Sequence, residues 1–125
     1  MERRGFTLIE VMLAVVILTT VLISVARYTG QFLHTVSTST VRTVAAEVAR
    51  EQISLVDMDP SYTTLAAAWA GTQVGFPGYP NMRRVTTVSR VTGNAPPRDY
   101  TIVTVRVTEP TLGQAIDVTT VVAQP

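Results

Sequence analysis

The chain has 125 residues, with ten arginines, no lysine, nine acidic residues, one histidine and no cysteine, for a formal net charge of +1. That length holds one domain plus a segment set apart from it, and so small a charge offers no basic surface, which argues against nucleic-acid binding as the main task. The lack of cysteine excludes a disulfide framework and thiol chemistry, and His34 alone cannot build a zinc site.

The chain opens on a short basic leader, Arg3-Arg4-Gly5, followed without a break by Phe6-Thr7-Leu8-Ile9-Glu10 and then Val11 to Ala26. From Phe6 to Ala26 there are 21 residues, in which Glu10 is the one charge and Thr7, Thr19, Thr20 and Ser24 are the other polar side chains. At its rise per residue a helix of that length covers roughly 31 Å, enough to cross a bilayer core. A Sec-type signal peptide would have a shorter apolar region with a small-residue cleavage site after it. Here the small residue stands before the apolar run, so cleavage at that point would keep the hydrophobic segment.

The stretch Arg3-Arg4-Gly5-Phe6-Thr7-Leu8-Ile9-Glu10-Val11 resembles the class III signal of type IV prepilins and type II secretion pseudopilins. The resemblance is carried by about the first quarter of the chain; the remainder is similar to minor pilins and minor pseudopilins in organisation only. It implies that a membrane prepilin peptidase cuts after Gly5 and methylates the new amino terminus on Phe6. It also implies an orientation, with the leader inside and the C-terminal domain in the periplasm. Arg3 and Arg4 support this weakly, because Arg27 and Arg42 follow on the other side. Loss of Met1 to Gly5 removes two arginines and one glutamate, which brings the formal charge to 0. Many major pilins close a C-terminal loop with a disulfide, so a cysteine-free chain points to a minor subunit or a pseudopilin.

Glu10 is the residue whose chemistry needs explaining. A charge in mid-membrane costs roughly 3 kcal/mol on insertion scales, so the carboxylate should have a partner or reach the interface by snorkelling. Cleavage after Gly5 would create a partner in the α-amino group of Phe6. Four residues apart on one helix, the two groups share a face, so a contact within the chain is possible. The resemblance implies a contact between subunits instead, in which Glu10 neutralises the Phe6 terminus of a neighbour and sets the axial register.

Beyond Ala26 the polarity rises, and no strong stop appears until Asp57 to Pro60. Gly30 and the run Thr35-Val36-Ser37-Thr38-Ser39-Thr40 have low helix propensity and are expected to loosen the helix locally. From Val41 the helical spacing is clear: Val41, Val44, Ala45, Val48, Ala49 and Gln52-Ile53 trace one face, with Arg42, Glu47, Arg50 and Glu51 mostly elsewhere. The reading is one long helix from about Phe6 to about Val56. The family usually places a proline a little over twenty residues into the mature chain; Arg27 stands there in this sequence, so any bend must arise at Gly30 or in the Thr/Ser run.

Asp59-Pro60 reads as an N-cap and first-turn proline opening a short helix near residues 60–70 through Leu65 to Trp69, stopped by Gly71. Gly75-Phe76-Pro77-Gly78-Tyr79-Pro80 reads as a turn-rich connector. Its aromatics, with Tyr62 and Trp69, are expected to pin the loop to the core rather than to form a recognition patch. Three β-rich segments follow, about Arg83 to Val91, Tyr100 to Thr108 and Ala115 to Val122. The second alternates cleanly, with Val103, Val105 and Val107 on one face; the first is less regular and is expected to carry a bulge. Short loops between sequential strands favour an antiparallel meander, one face covered by the amphipathic half of the long helix.

The fold class expected is thus α+β and pilin-like. A long N-terminal helix, membrane-spanning in its first half and amphipathic in its second, packs on a small antiparallel three-stranded sheet. The corresponding divisions are a cleaved leader over 1–5, a transmembrane half over 6–26, an amphipathic half over 27–57 and a head domain over 58–125. No P-loop, dinucleotide-binding glycine pattern or nucleophile elbow occurs, so no enzyme and no cofactor is expected. Asp99, Glu109 and Asp117 fall near strand ends, where some relatives hold calcium. Their spacing matches no calcium loop, and solvated loop acids are the expected reading, with no metal. The function expected is a structural subunit assembled from the inner membrane into a type IV pilus or type II secretion pseudopilus. Its implied partners are prepilin peptidase, other pilin or pseudopilin subunits, the inner-membrane assembly machinery and membrane lipid. The alternative is a monomeric, membrane-anchored periplasmic binding module.

Overall fold

The structure, a computed structural model, describes residues 5–94 and 96–124. Arg3, Arg4 and the rest of the leader before Gly5 lie outside the described residues, as does Ala95 in the loop expected at 93–97. Helix α1 spans Leu8–Asp57, and a 3-10 turn at Tyr62–Thr64 leads into the short helix α2, Leu65–Trp69. Four strands follow: β1 Gly71–Phe76, β2 Tyr79–Asn94, β3 Pro97–Thr108 and β4 Ile116–Ala123. The contacts divide the chain into two compact units, at Ser37/Thr38.

In the first unit every described residue from Gly5 to Ser37 is exposed, including Phe6, Leu8, Ile9, Leu13, Ile17, Leu22 and Phe32. The helix is unbroken through Gly30 and through the Thr/Ser run, so the loosening expected there does not occur. Its hydroxyls bond back onto its own carbonyls. Thr19 donates to the Val15 carbonyl at 2.7 Å, Thr20 to Val16 at 2.9 Å and Ser24 to Thr20 at 2.9 Å. Thr29, Thr35 and Thr43 donate in the same way to the carbonyl one turn back. Each such bond satisfies a polar side chain without any outside partner.

The second unit is a helix laid on an antiparallel meander. Strand order is β1-β2-β3-β4, all neighbours antiparallel. The three-stranded expectation is corrected here: β1 is a further strand, built from residues read as a helix stop and a connector. Gly71, Gly75 and Pro77 hid it, because glycine and proline are depleted in strands. The pair tolerates them because β1 is at the edge of the sheet and Pro77-Gly78 form the turn to β2, with Gly78 at a φ of +79°. The register of β2 with β3 is continuous from Arg83 to Asn94, so the bulge expected within the first β-rich segment is not there. The irregularity falls earlier, where pairing shifts between Val74 and Phe76.

The helix covers the sheet with small residues against branched ones. Ala45 and Ala49, four apart and fully buried, pack with Val41 against Met82, Val105 and Val107. A second cluster joins Val56, Tyr62, Leu65 and Val103. Each fully buried valine of this row contributes about 1.5–3 kcal/mol. The alternation read in β3 is the one observed, since Val103, Val105 and Val107 are all buried. Phe76 and Tyr79 pack on the first cluster and Trp69 on the second, so these aromatics pin their segments to the core.

Candidate functional site

The candidate residues lie at the start of α1. Gly5, Phe6 and Thr7 precede the first helical residue, and all are exposed. The helix therefore begins at Leu8, two residues later than expected, and Thr7 occupies the capping position. The Glu10 N–H lies 3.4 Å from Thr7 Oγ1 and 3.1 Å from the Thr7 carbonyl, and the Val11 N–H reaches the same carbonyl at 3.2 Å. Thr7-Leu8-Ile9-Glu10 has the Thr-x-x-Glu spacing of a capping box. That signal stands in the sequence, and reading Phe6 as helical concealed it. Glu10 occupies the first turn, where the helix dipole favours a negative charge. A shallow groove along the helix surface is lined by Phe6, Glu10, Val11, Ala14, Val15 and Leu18. Phe6 and Glu10 both line this groove, although Phe6 stands ahead of the helix and the i to i+4 spacing of a helical face does not apply to it.

Gly5 has a plain local reading. A Cβ built on it would meet nothing within 4 Å. Nothing in the described chain requires a glycine there, so any requirement must come from a molecule that handles this segment.

The structure does not bring the three candidate acids together. Asp99 accepts from Tyr62 Oη at 2.7 Å and from Arg90 at 2.9 Å, and the Arg90 guanidinium sits 5.2 Å from the Tyr62 ring centroid. Arg90 first and Tyr62 second hold the Asp99 carboxyl down at about 2. Asp117 is bound by Arg106 at 2.7 Å, which lowers its pKa, and Glu109 accepts from the Thr111 N–H at 2.7 Å. Among the described residues no group of three or more His, Asp or Glu is placed to hold a metal. Asp59 is also corrected. Rather than capping the short helix directly, it accepts from the Ser61 N–H at 2.8 Å and from Trp69 Nε1 at 2.7 Å. Those two bonds lower its pKa and tie the turn to α2.

Against known families, residues 1–26 match the prokaryotic N-terminal methylation motif. The chain carries the class III signal of the type IV prepilin and pseudopilin family. No curated protein and no solved structure matches it. The motif covers the leader, the expected cleavage point, Glu10 and the apolar run to Ala26, and the family it marks is structural rather than enzymatic. Helix α1 is long and apolar enough to cross a membrane, and with the motif this fits a single-pass anchor. The motif supports a pilin-like or pseudopilin-like precursor.

Proposed function

We propose that this chain is a minor pilin or minor pseudopilin. It is cut between Gly5 and Phe6, methylated on Phe6, and held in the inner membrane by residues 6–26. The segment 27–57 and the head over 58–125 stand in the periplasm. Assembly moves the apolar helix out of lipid and against the helices of neighbouring subunits, and Glu10 of one subunit pairs with the Phe6 amine of the next. The observation that carries the reading is the methylation motif running directly into a helix whose described residues to Ser37 are all exposed. Several features agree with it. The bond after Gly5 is in exposed backbone ahead of the helix, and Gly5 has no steric role of its own. The hydroxyls of Thr19, Thr20 and Ser24 are satisfied by their own helix, which lets them sit in hydrocarbon.

The test is the intact mass of the protein taken from membranes with and without an active prepilin peptidase. The expected result is loss of Met1 to Gly5 and gain of one methyl group, only when the peptidase is present. An unchanged N-terminus beside an active peptidase overturns the reading and leaves a plain membrane-anchored binding module.

A further inference from the structure

Strand β4 is last in the sheet order, and its outer edge has no strand partner among the described residues. The Gln124 N–H donates to the Asp99 carbonyl at 3.3 Å, which sets the phase of the β3–β4 ladder. Hydrogen-bonded pairs alternate along an antiparallel ladder. Ile116, Val118, Thr120 and Val122 therefore direct their backbone groups toward β3, and Asp117, Thr119, Val121 and Ala123 direct theirs outward. Natural edges are usually guarded by lysine, proline, a bulge or a covering segment. Ile116–Ala123 has no lysine, proline or glycine, and its register is unbroken. Its one charge, Asp117, is already paired with Arg106.

The opposite edge is β1, which pairs regularly from Gly71 to Val74 before the register shift and Gly75, whose φ is +85°. It contains no charged residue. In a four-stranded meander the first and last strands run antiparallel. A second copy placed beside the first, turned only by ordinary sheet twist, thus offers its β1 antiparallel to β4, the more stable pairing. The helical segments over 38–57 then lie on the same side of the joint sheet and run the same way. Antiparallel pairing of β4 with another β4 needs a two-fold rotation, which sets the helical segments over 38–57 of the two copies running opposite ways.

We propose that the β4 edge is an interaction surface for strand β1 of a second copy of this chain, so that the sheet continues from subunit to subunit. The contact is head-to-tail and open-ended, the type that builds rings or filaments. It brings no like charges together. With four regularly paired residues in β1 it is short, so it depends on the high local concentration that anchoring in one membrane provides. The proposal rests on the membrane-subunit reading above.

The cysteine-free chain makes the test direct. Thr72, Thr119 and Val121 share the sheet face away from the helix. Full-length chains carrying Thr72→Cys with Thr119→Cys, or Thr72→Cys with Val121→Cys, are oxidised in membranes that contain the peptidase. At least one pair is expected to yield a ladder of dimers, trimers and larger species, and each single-cysteine chain to stay monomeric. Adding Val121→Pro to the Thr72/Thr119 pair removes an outward N–H and spares the β3–β4 ladder. It is expected to cut the cross-linked yield by about fivefold or more, since an edge proline is tolerated by its own sheet but blocks a new strand. Three results would overturn the proposal: no cross-linking above the single-cysteine chains, dimers from Thr119→Cys alone, or a yield that Val121→Pro leaves unchanged. N-terminal mass measured on the same samples reports separately on the subunit reading, so the two failures are distinguishable.

Discussion

Glu10 sits in the first turn of α1, and the other side chains of the groove it shares with Phe6 are apolar. If its task is to meet the amine of a neighbouring Phe6, then Glu10→Val leaves membrane insertion intact, since it removes a charge from the apolar run. The same change abolishes incorporation into a filament. A shearing assay that finds the variant in filaments at the parental level refutes the pairing. A second carboxylate acts on stability. Asp99 is held at about 2, below its ordinary 3.8, by Arg90 and then Tyr62. A depressed carboxylate stabilises the fold above its unfolded value and loses that contribution as pH falls through its folded value. Thermal unfolding of Asp99→Asn in detergent is therefore expected to lie below the parent at pH 7. The gap closes between roughly pH 4 and pH 2. A gap of constant size across that range would show that the Arg90–Asp99–Tyr62 contact is not what titrates.

At the scale of elements, Gly30 stands in the middle of α1 with open space where a Cβ would go. Nothing among the described residues explains a residue that costs a helix about 1 kcal/mol relative to alanine. Gly30→Ala is accordingly expected to slow amide exchange of the surrounding helix in detergent by a factor of about 5, the equivalent of that free energy. Faster or unchanged exchange would mean that the helix is not the state being stabilised. In the sheet, Met82 is fully buried between α1 and the β3 valines. Met82→Ala should destabilise the head by about 2–5 kcal/mol in a denaturant titration, because the facing alanines and valines cannot collapse into the space. Arg84 ties the same region together from its rim. It lies 5.3 Å from the Phe76 ring centroid and donates to the Val48 carbonyl at 3.4 Å.

At the scale of the whole molecule, the two units differ in kind. One exposes every described side chain up to Ser37, and the other has a buried core of Val41, Ala45, Ala49, Val56, Leu65, Met82 and the β3 valines. An exposed apolar surface of the first kind requires lipid or other helices around it. The full chain should therefore stay in the membrane pellet after alkaline carbonate or high-salt washing. Recovery in the supernatant would show attachment by charge rather than by insertion.

Sequence alone determined the features that repeat or that stand as a linear signal. The Arg3 to Val11 motif, the apolar run to Ala26, the helical face from Val41 to Ile53 and the alternation of β3 were all legible, because each depends on neighbours in the chain. Glycine and proline misled where their local cost was outweighed by position. β1 forms because pairing with Arg83 to Thr86 of β2 supplies its hydrogen bonds, and helix α1 runs through Gly30 because its flanking residues carry it. Tertiary structure alone decided which partner each charged group found. Asp99 meets Tyr62 and Arg90, and Asp59 meets Trp69, across separations of up to 37 residues. Among the described residues it also left the β4 edge without a strand partner, since hydrogen-bond phase and strand order follow from the assembled sheet and have no period in the sequence.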